Sequence, residues 1–385
     1  MAEIDIGMGK VGRRAYGLDE LLLLPGRRTR DDEMVDLSWK IDAFSMDLPF
    51  MSAGMDSVTS PETAVTVSRL GGLPTLNLEG LWARHKDADE LLREAADVPG
   101  EKGLARLREL HETAIDPDLL ISVIHDLKEQ GITIAGAVSP KHTVEMADIL
   151  TKVELDLLVI RGSVISAEHV TETNDALNLK SFVRSLETPV VVGGCASYQA
   201  ALHLMRTGAA GVLVGVDSGS TATTGRVTGL GSKTATAIAD VRAARMRHLD
   251  ETGVYVHVIA DGGLRTGGQI AKSIACGADA VVLGRALASA TDAPGRGWHW
   301  DNAAVHRHLP QGLRIPVQQI APLDQLLLGP AEAADGIVNI FGALRHSMAT
   351  LGFESVKELQ KADVLVTNGN DGVEEISSTK REEDV

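Results

Sequence analysis

The sequence predicts a single-domain α/β protein, a (β/α)8 TIM barrel with a parallel eight-stranded sheet. Apolar, β-branched runs of strand length recur along the 385 residues, and each is followed by glycine or a small polar residue and then by a helical i, i+3, i+4 pattern. Two helix–turn–strand junctions repeat one template. An open doubly wound sheet is the alternative, but it would need a GxGxxG fingerprint after its first strand, and none is found there.

The eight predicted strands, taken in order, alternate with segments of helical periodicity. They are Leu48–Ala53, Leu73–Asn77, Ile132–Ala137, Leu155–Ile160, Pro189–Val192, Val212–Val214, Tyr255–Ala260 and Ala280–Leu283. The repeated template covers Leu204–Gly215 and Ser273–Gly284, where a helix end, a glycine turn and a strand follow one another. This order predicts right-handed crossovers, and in such a barrel the chemistry belongs to the loops after the strands.

Composition and charge limit the classes of protein. A hydrophobic fraction of 44% supplies enough core for one large barrel. A formal net charge of −16 argues against nucleic acid as a partner, because phosphate contacts need clustered Lys and Arg. No apolar run is long enough to span a membrane, so no membrane partner is expected. A start without a basic and apolar leader, together with two cysteines, predicts a cytoplasmic protein.

The barrel is expected to take up most of the chain. We predict one domain over residues 1–365 and a disordered acidic tail over residues 366–385, because the tail has almost nothing to bury. Residues from about 79 to 118 are charged and helix-prone. They are too few for an inserted folded domain, so we expect them to cap or flank the barrel.

The segment Val212–Gly231 is the richest candidate for ligand binding. A buried strand ends at Gly215, and the loop after it offers backbone N–H groups and hydroxyls at little steric cost, which suits a small anion. The hydroxyls belong to Ser218, Ser220, Thr221, Thr223 and Thr224. After Asp217 this loop contains no cysteine, histidine or carboxylate. The sequence therefore predicts an anion-binding loop without an obvious reactive atom.

The next two strands end in groups that suit a phosphorylated ligand. Asp261-Gly262-Gly263 ends one strand and opens a helix, so backbone amides can approach a phosphate while the carboxylate accepts hydrogen bonds from ribose hydroxyls. Gly284-Arg285 ends the following strand with a glycine beside a cation. Together they predict the split phosphate site that the last strand loops of many such barrels build. The alternative for the first motif is an ordinary glycine turn with a helix-capping aspartate.

The stretch Asp261–Gly284, DGGLRTGGQIAKSIACGADAVVLG, resembles the signature region of the IMP dehydrogenase/GMP reductase family. Further segments resemble the family in the same order along the chain: Leu18–Pro25, Met55–Thr59, Gly72–Asn77 and Gly342–Gly352. The family's regulatory pair of cystathionine-synthase-type repeats would enter near Ala83–Asp118 and is absent. The overall pattern is most similar to the subgroup of IMP-dehydrogenase-related proteins that lack this regulatory domain.

The resemblance implies a purine mononucleotide of the IMP or GMP type as ligand, GMP biosynthesis as the setting and a homotetramer as the assembly. The residues that it assigns to the nucleotide and its phosphate are Ser220, Asp261, Gly262, Gly263, Gly284, Arg285 and Met55. The family's dehydrogenases use NAD and its reductases NADPH. The dehydrogenases also hold a monovalent cation with carbonyls of the sixth loop, which is altered here. The histidines form no HExxH arrangement, so no transition-metal site is predicted.

The same comparison places Ala222 where the family has its catalytic cysteine, with Thr224 close by. In the family that thiolate attacks the purine and forms the adduct from which hydride leaves, and alanine cannot do this. Two positions that serve NAD in the family also differ, since Arg161 replaces an aspartate and Gly194 an asparagine. The alternatives left open are a divergent NAD(P)-dependent oxidoreductase, a catalytically silent nucleotide sensor or partner of an active paralogue, and an enzyme using Cys195 as a relocated nucleophile. The plainer interpretation of Cys195 is a small buried hydrophobic residue.

Overall fold

A computed structural model of the chain contains eight parallel strands in a nearly closed barrel, and it describes residues 3–169, 177–301, 305 and 312–367. The strands are β1 (Phe50–Ser52), β2 (Thr75–Asn77), β3 (Ala135–Val138), β4 (Leu157–Arg161), β5 (Val190–Cys195), β6 (Gly211–Val214), β7 (His257–Asp261) and β8 (Ala280–Leu283). From β2 to β8 each strand pairs with the next, and β8 pairs with β1. A parallel bridge between Met51 and Leu73 joins β1 to the segment before β2. The predicted barrel is confirmed.

All eight predicted strands are present, with ends that differ by a few residues. The largest extension is in β5, which continues past the predicted end at Val192 to Cys195. A Cβ added at Gly193 would lie 2.5 Å from the carbonyl oxygen of Leu213, so this strand needs glycine to approach β6. Glycine is normally depleted in strands, and the predicted strand therefore ended three residues too early, before Gly193.

The strands supply most of the core because a parallel barrel strand is covered on both faces. All residues of β3, β5, β6 and β8 are buried. Their β-branched side chains fit a pleated surface that packs against helices outside and against other strands inside. This packing fixes the strand ends, and with them the loops that carry the candidate site.

The helices begin and end at residues that suit their termini. Thr266 accepts a hydrogen bond from Gln269 N, and the Gln269 side chain bonds back to the Thr266 backbone. The helix Thr234–Thr252 ends at Gly253, whose φ of 73° is the left-handed conformation that glycine adopts without strain. The other α-helices are Pro61–Arg69, Ala88–Ala96, Gly100–Leu110, Pro117–Glu129, Pro140–Glu145, Ala147–Leu150, Leu179–Ser185, Tyr198–Met205, Thr224–Thr228, Gly267–Cys276, Arg285–Ala288, Leu323–Leu328, Ile340–Leu351 and Val356–Leu359.

A helical cap, which we define as Leu81–Leu110, forms a second apolar cluster apart from the barrel core. The buried members of the cluster are Leu81, Trp82, Ala88, Leu92, Ala95, Leu107, Leu110 and Trp300. Trp298 Nε1 donates a hydrogen bond to Ala96 O at 3.0 Å, and the Arg314 guanidinium lies 3.8 Å from the centre of the Trp298 ring. The cap therefore rests on the segment Trp298–Asp301, which follows β8.

Two-stranded antiparallel pairs lie outside the barrel: Glu3–Gly7 with Lys10–Arg13, Trp39–Ile41 with Phe44–Met46, Trp298–His299 with Ile315–Pro316, and Leu21–Leu23 with Val364–Val366. Thr367 N donates to Glu20 O at 2.8 Å. Val366 was predicted to begin the tail, but it lies in this last pair because an apolar Val-Leu-Val run favours a strand, and Thr367 follows it with its backbone bond to Glu20. The rest of the predicted tail, 368–385, lies outside the described residues. Among the helices that the structure describes, none combines the length and apolar character needed to cross a membrane.

Candidate functional site

The loops after β6 and β7 pack tightly against each other at the carboxyl ends of the strands. Ser218 Oγ donates a hydrogen bond of 2.6 Å to the carbonyl oxygen of Asp261. Gly262 has a φ of 104°, and a Cβ added there would lie 2.3 Å from Ser218 Oγ. A side chain at Gly262 would therefore push the two loops apart. The Asp261-Gly262-Gly263 turn needs its first glycine both for its conformation and for this close approach.

Two of the buried polar atoms that have no hydrogen-bond partner within the described parts of the chain lie in the loops after β6 and β8. They are Ser220 Oγ, in the loop after β6, and Arg285 Nε, directly after β8. Burial lowers the pKa of the Arg285 guanidinium, and the positive charge of Arg265 lowers it further. A buried polar group without a partner costs about 1–3 kcal/mol. An anion that accepts a hydrogen bond from either group would remove that group's cost, and a negative charge beside Arg285 would offset its repulsion with Arg265.

Ala222 lies half-buried in the sixth loop, where its N–H donates to Gly219 O at 3.1 Å. The residues on either side are bonded to a more distant part of the chain: Thr221 O accepts from Leu313 N at 2.9 Å, and Thr223 Oγ1 accepts from Gly312 N at 2.7 Å. Thr224, which the resemblance placed near the reactive position, is buried at the start of the short helix Thr224–Thr228. These hydrogen bonds hold the loop in place, and the side chain between the two bonded residues is the methyl group of Ala222.

Arg161 extends from the end of β4 across the mouth of the barrel. Its guanidinium forms two parallel hydrogen bonds with Asp301, 2.9 Å from Nη1 to Oδ1 and 2.7 Å from Nη2 to Oδ2. Its Nε lies 3.6 Å from Oδ2 of Asp261, at the end of β7. Burial acts to lower the pKa of Arg161, but the charges of Asp301 and Asp261 outweigh it and keep the pKa above its ordinary value.

Burial has the opposite consequence for the neighbouring carboxyl group. Burial raises the pKa of Asp261. The positive charge of Arg161 opposes this shift only in part, and the negative charge of Asp301 adds to it. Beneath Arg161 and Asp261 lies a small cavity of about 10 Å³, enough for about one water molecule. Its walls are largely apolar and come from several strands, with Met51, Val159, Leu213 and Val282 among them. The mouth of the barrel therefore combines an apolar floor with a charged rim.

His299 places an imidazole in its neutral form beside the end of β8. Ser57 Oγ donates to Trp300 O at 2.9 Å, so it accepts from His299 Nδ1 at 3.1 Å. Because Nδ1 carries the hydrogen, Nε2 is an acceptor, and it lies 3.7 Å from the position of a Cβ added at Gly284. Burial lowers the pKa of His299 to about 4, with Asp301 opposing the shift and Arg285 and Arg161 adding to it.

The remaining predicted site residues are buried in the barrel wall. Met55 is 6% exposed in the turn after β1. A Cβ added at Gly194 would lie 2.3 Å from Gly215 O, so the protein backbone fills the space beside this glycine. Cys195 is 2% exposed, its Sγ donates to Leu213 O at 3.5 Å, and burial raises its pKa to about 12. Such a thiol packs as a small apolar residue and is not available as a thiolate.

The residues at the family's NAD positions do not fit a dinucleotide in this arrangement. Arg161 is engaged by two carboxylates of the protein, and Gly194 is covered by the backbone of the neighbouring strand. Among the described residues, no three His, Cys, Asp or Glu side chains are grouped as a metal site. The described residues therefore give neither a dinucleotide nor a metal ion a place in the chemistry of this site.

The sequence prediction missed Asp301 and His299, which the structure brings to the mouth of the barrel. Both lie in the segment Trp298-His299-Trp300-Asp301, where apolar and polar side chains alternate. Alternation of this kind puts His299 and Asp301 on one face of an extended chain. The pattern was a usable signal for the pair, but nothing in it pointed to Arg161, 140 residues away.

The fold and the site together define the class of protein: a (β/α)8 barrel with polar and charged side chains gathered at the carboxyl ends of its strands, where enzymes of this fold have their active sites. The family follows from comparison. Residues 15–309 match the IMP dehydrogenase / GMP reductase domain, and the chain belongs to that family. The resemblance inferred from the motifs is thereby confirmed.

Relatives and a solved structure match along nearly the whole chain. An uncharacterized oxidoreductase of Mycobacterium leprae is 46% identical over 373 residues, 94% of this chain and 100% of the relative. The inosine-5′-monophosphate dehydrogenase of Methanocaldococcus jannaschii is 24% identical over 476 residues, 91% of this chain and 92% of the relative. The crystal structure of an IMP dehydrogenase/GMP reductase-like protein from Corynebacterium glutamicum superposes with a TM-score of 0.89 at 42% identity, covering 95% of this chain and 98% of that one.

Proposed function

We propose that this chain binds a purine nucleoside 5′-monophosphate of the IMP or GMP type, with the phosphate at the loops after β6, β7 and β8. The observation that carries the proposal is the pair of buried polar atoms, Ser220 Oγ and Arg285 Nε, that have no partner in the described part of the protein. A phosphate oxygen accepts hydrogen bonds from a hydroxyl and from a guanidinium, and the charge-assisted bond to the latter is the stronger.

The turn after β7 supports the same ligand. Gly262 and Gly263 have φ values of 104° and 77°, and consecutive backbone N–H groups in such turns bind anions. Asp261 stands at the rim as an acceptor for ribose hydroxyls, and Gly284 precedes Arg285 at the end of β8. The family supports the wider setting: purine nucleotide metabolism, with a homotetramer as the assembly.

We further propose that the nucleotide is held without the covalent step of the family. Ala222 has no nucleophilic atom, and Cys195 is buried with a raised pKa. Thr223 Oγ1 already accepts a hydrogen bond from the backbone, and neither Thr223 nor Thr224 forms a described hydrogen bond to an imidazole or carboxylate that could activate it. The second candidate, a divergent NAD(P)-dependent oxidoreductase, rests on the family and needs a hydride transfer without a thiolate.

The phosphate site is tested by calorimetry with IMP, GMP, inosine and inorganic phosphate. We expect the nucleotides to bind and inosine to bind far more weakly. Arg285→Gln should weaken nucleotide binding about 10- to 100-fold, because a hydrogen bond to a charged group is worth about 1.5–3 kcal/mol, and Ser220→Ala about 3- to 10-fold. Arg226→Gln, which removes an exposed arginine of the same loop, is the matched control and should bind as the wild type does.

Equal affinity for inosine and IMP would contradict a phosphate site, as would an Arg285→Gln variant that binds like the control. The variants can be compared by circular dichroism beforehand, so that a loss of binding is not confused with a loss of fold.

The absence of the covalent step is tested by the absorbance of NADH. Wild-type protein at high concentration, mixed with IMP and NAD, should leave the absorbance flat, because no thiolate attacks the purine. NADH formation that disappears in Asp261→Ala would instead establish the divergent oxidoreductase. Activity that survives in Asp261→Ala would point to a contaminating dehydrogenase, and purification from a strain lacking its own enzyme excludes that source.

A further inference from the structure

We propose that Asp301 is a positioning residue of the nucleotide site: it holds the guanidinium of Arg161 and thereby keeps Arg161 from closing on Asp261. The inference rests on the proposed function, because it concerns the carboxylate that would accept the ribose hydroxyls. Nothing in the resemblance assigns a role to Asp301, and the family has an aspartate at the position of Arg161. The juxtaposition of the three charges is a feature of this chain's structure.

The contacts of Arg161 with its two carboxylates are unequal. Both Nη atoms bond to Asp301 within 2.9 Å in the parallel fork that guanidinium and carboxylate prefer. The distance from Nε to Asp261 Oδ2 is 3.6 Å, beyond the range of a normal hydrogen bond. Asp301 is therefore the primary partner, and Asp261 is held near a positive charge without being tied to it.

Removal of Asp301 would change which carboxylate the arginine binds. Arg161 is mostly buried, with 22% of its side chain exposed, so it needs a counter-charge near the barrel mouth. Asp261 is close enough that a shift of less than about 1 Å brings it into hydrogen-bond range. Burial also disfavours an unpaired Asp261 carboxylate. Both groups would gain by pairing, and a ribose hydroxyl would then have to displace the arginine.

The position of Asp301 is set by parts of the fold outside the barrel. It follows the strand Trp298–His299, which pairs with Ile315–Pro316. Trp300, directly before it, is 4% exposed and belongs to the apolar cluster of the helical cap. The cap thus fixes the backbone that carries Asp301, and through Asp301 it sets the position of Arg161.

The test is a double-mutant cycle with Asp301→Asn, Arg161→Gln and the double variant, using calorimetry with IMP or GMP and, separately, with inorganic phosphate. Asp301→Asn should weaken nucleotide binding roughly tenfold, a size typical of coupling between sites. Arg161→Gln should leave the affinity within about twofold of the wild type, because Asp261 is not hydrogen-bonded to Arg161 there. In the double variant Asp301→Asn should have no further effect. Inorganic phosphate should bind equally to all four proteins. If Asp301 served only the fold, Asp301→Asn would weaken the binding of phosphate as well.

A second measurement needs no nucleotide. In a crystal structure of Asp301→Asn, Arg161 should donate hydrogen bonds to Asp261. An Arg161 that stays in place or turns to solvent overturns the inference, and so do additive effects in the cycle or weaker binding by Arg161→Gln. If the wild type binds no nucleotide at all, the proposed function fails, while this crystal structure still reports whether Asp301 controls Arg161.

Discussion

The Arg245→Met variant is expected to be less stable than the wild type by about 3–5 kcal/mol, the usual cost of removing one partner of a buried ion pair. Arg245 is 1% exposed in the helix Thr234–Thr252, and its Nη1 donates to Asp279 Oδ2 at 2.7 Å. Methionine has a similar length, so the loss comes mainly from the charge. Without Arg245, the buried Asp279 carboxylate keeps the ammonium group of Lys357, which lies 3.6 Å away on a side chain that is 58% exposed and balances the charge less well.

Asp279 connects several elements. It accepts hydrogen bonds from Tyr255 Oη at 2.6 Å, from Val258 N at 2.8 Å and from Gln360 Nε2 at 2.9 Å. Burial acts to raise the pKa of Asp279, but the charge of Arg245 and the hydrogen bonds from Tyr255 and Val258 outweigh it, and the pKa is lowered. The cluster joins β7, the residue before β8, the helix Thr234–Thr252 and Gln360 at the end of the helix Val356–Leu359. Its loss should therefore affect global unfolding.

Urea unfolding followed by circular dichroism measures the effect. The matched control is Arg206→Met, because Arg206 pairs with Glu251 at 2.8 Å but leaves 45% of its side chain exposed. The control should lose no more than about 1 kcal/mol. The double variant Arg245→Met/Asp279→Leu should regain part of the loss, since an apolar pair can replace a buried ion pair. A loss below that of the control would show that the buried pair carries no stability.

The barrel could be predicted from the sequence because its signals are local. Each strand is a short β-branched run followed by helical periodicity, and eight such units leave few arrangements. The candidate loops could be located for the same reason, since Ser220 and Arg285 lie in the loops after β6 and β8 and Asp261 ends β7. Strand ends were less predictable where a contact between strands decides them, as at Gly193.

The charged contacts could not be predicted, because they depend on distances between remote parts of the chain. The resemblance places Arg161 at a changed cofactor position, and only the structure shows that its guanidinium pairs with Asp301. Arg245 lies in a polar-looking helix, where a charged residue is ordinarily assigned to solvent, yet it is fully buried. The interpretation of such residues depends on their partners, which a single sequence does not give.

His299 should make the fold sensitive to acid well above the pH at which carboxylates titrate. Its ordinary pKa of 6.5 falls to about 4 in the folded chain because the ring is buried. The unfolded chain therefore binds a proton between these two values and the folded chain does not. Stability falls as the pH drops from about 6.5 to about 4, and this residue accounts for a loss of about 3 kcal/mol at the lower end.

The measurement is urea unfolding at a series of pH values for the wild type and for His299→Gln. Glutamine retains a donor for Ser57 Oγ but cannot take up the proton. The difference between the two proteins therefore isolates His299 from other histidines whose pKa is lowered, such as His257. The His299→Gln variant should start less stable near neutral pH and should lose less stability on acidification. His125→Gln, on an exposed helix face, controls for the loss of a histidine elsewhere. Parallel curves for the wild type and His299→Gln would show that His299 takes up its proton at the same pH in the folded and unfolded chains, which would contradict a lowered pKa in the folded state.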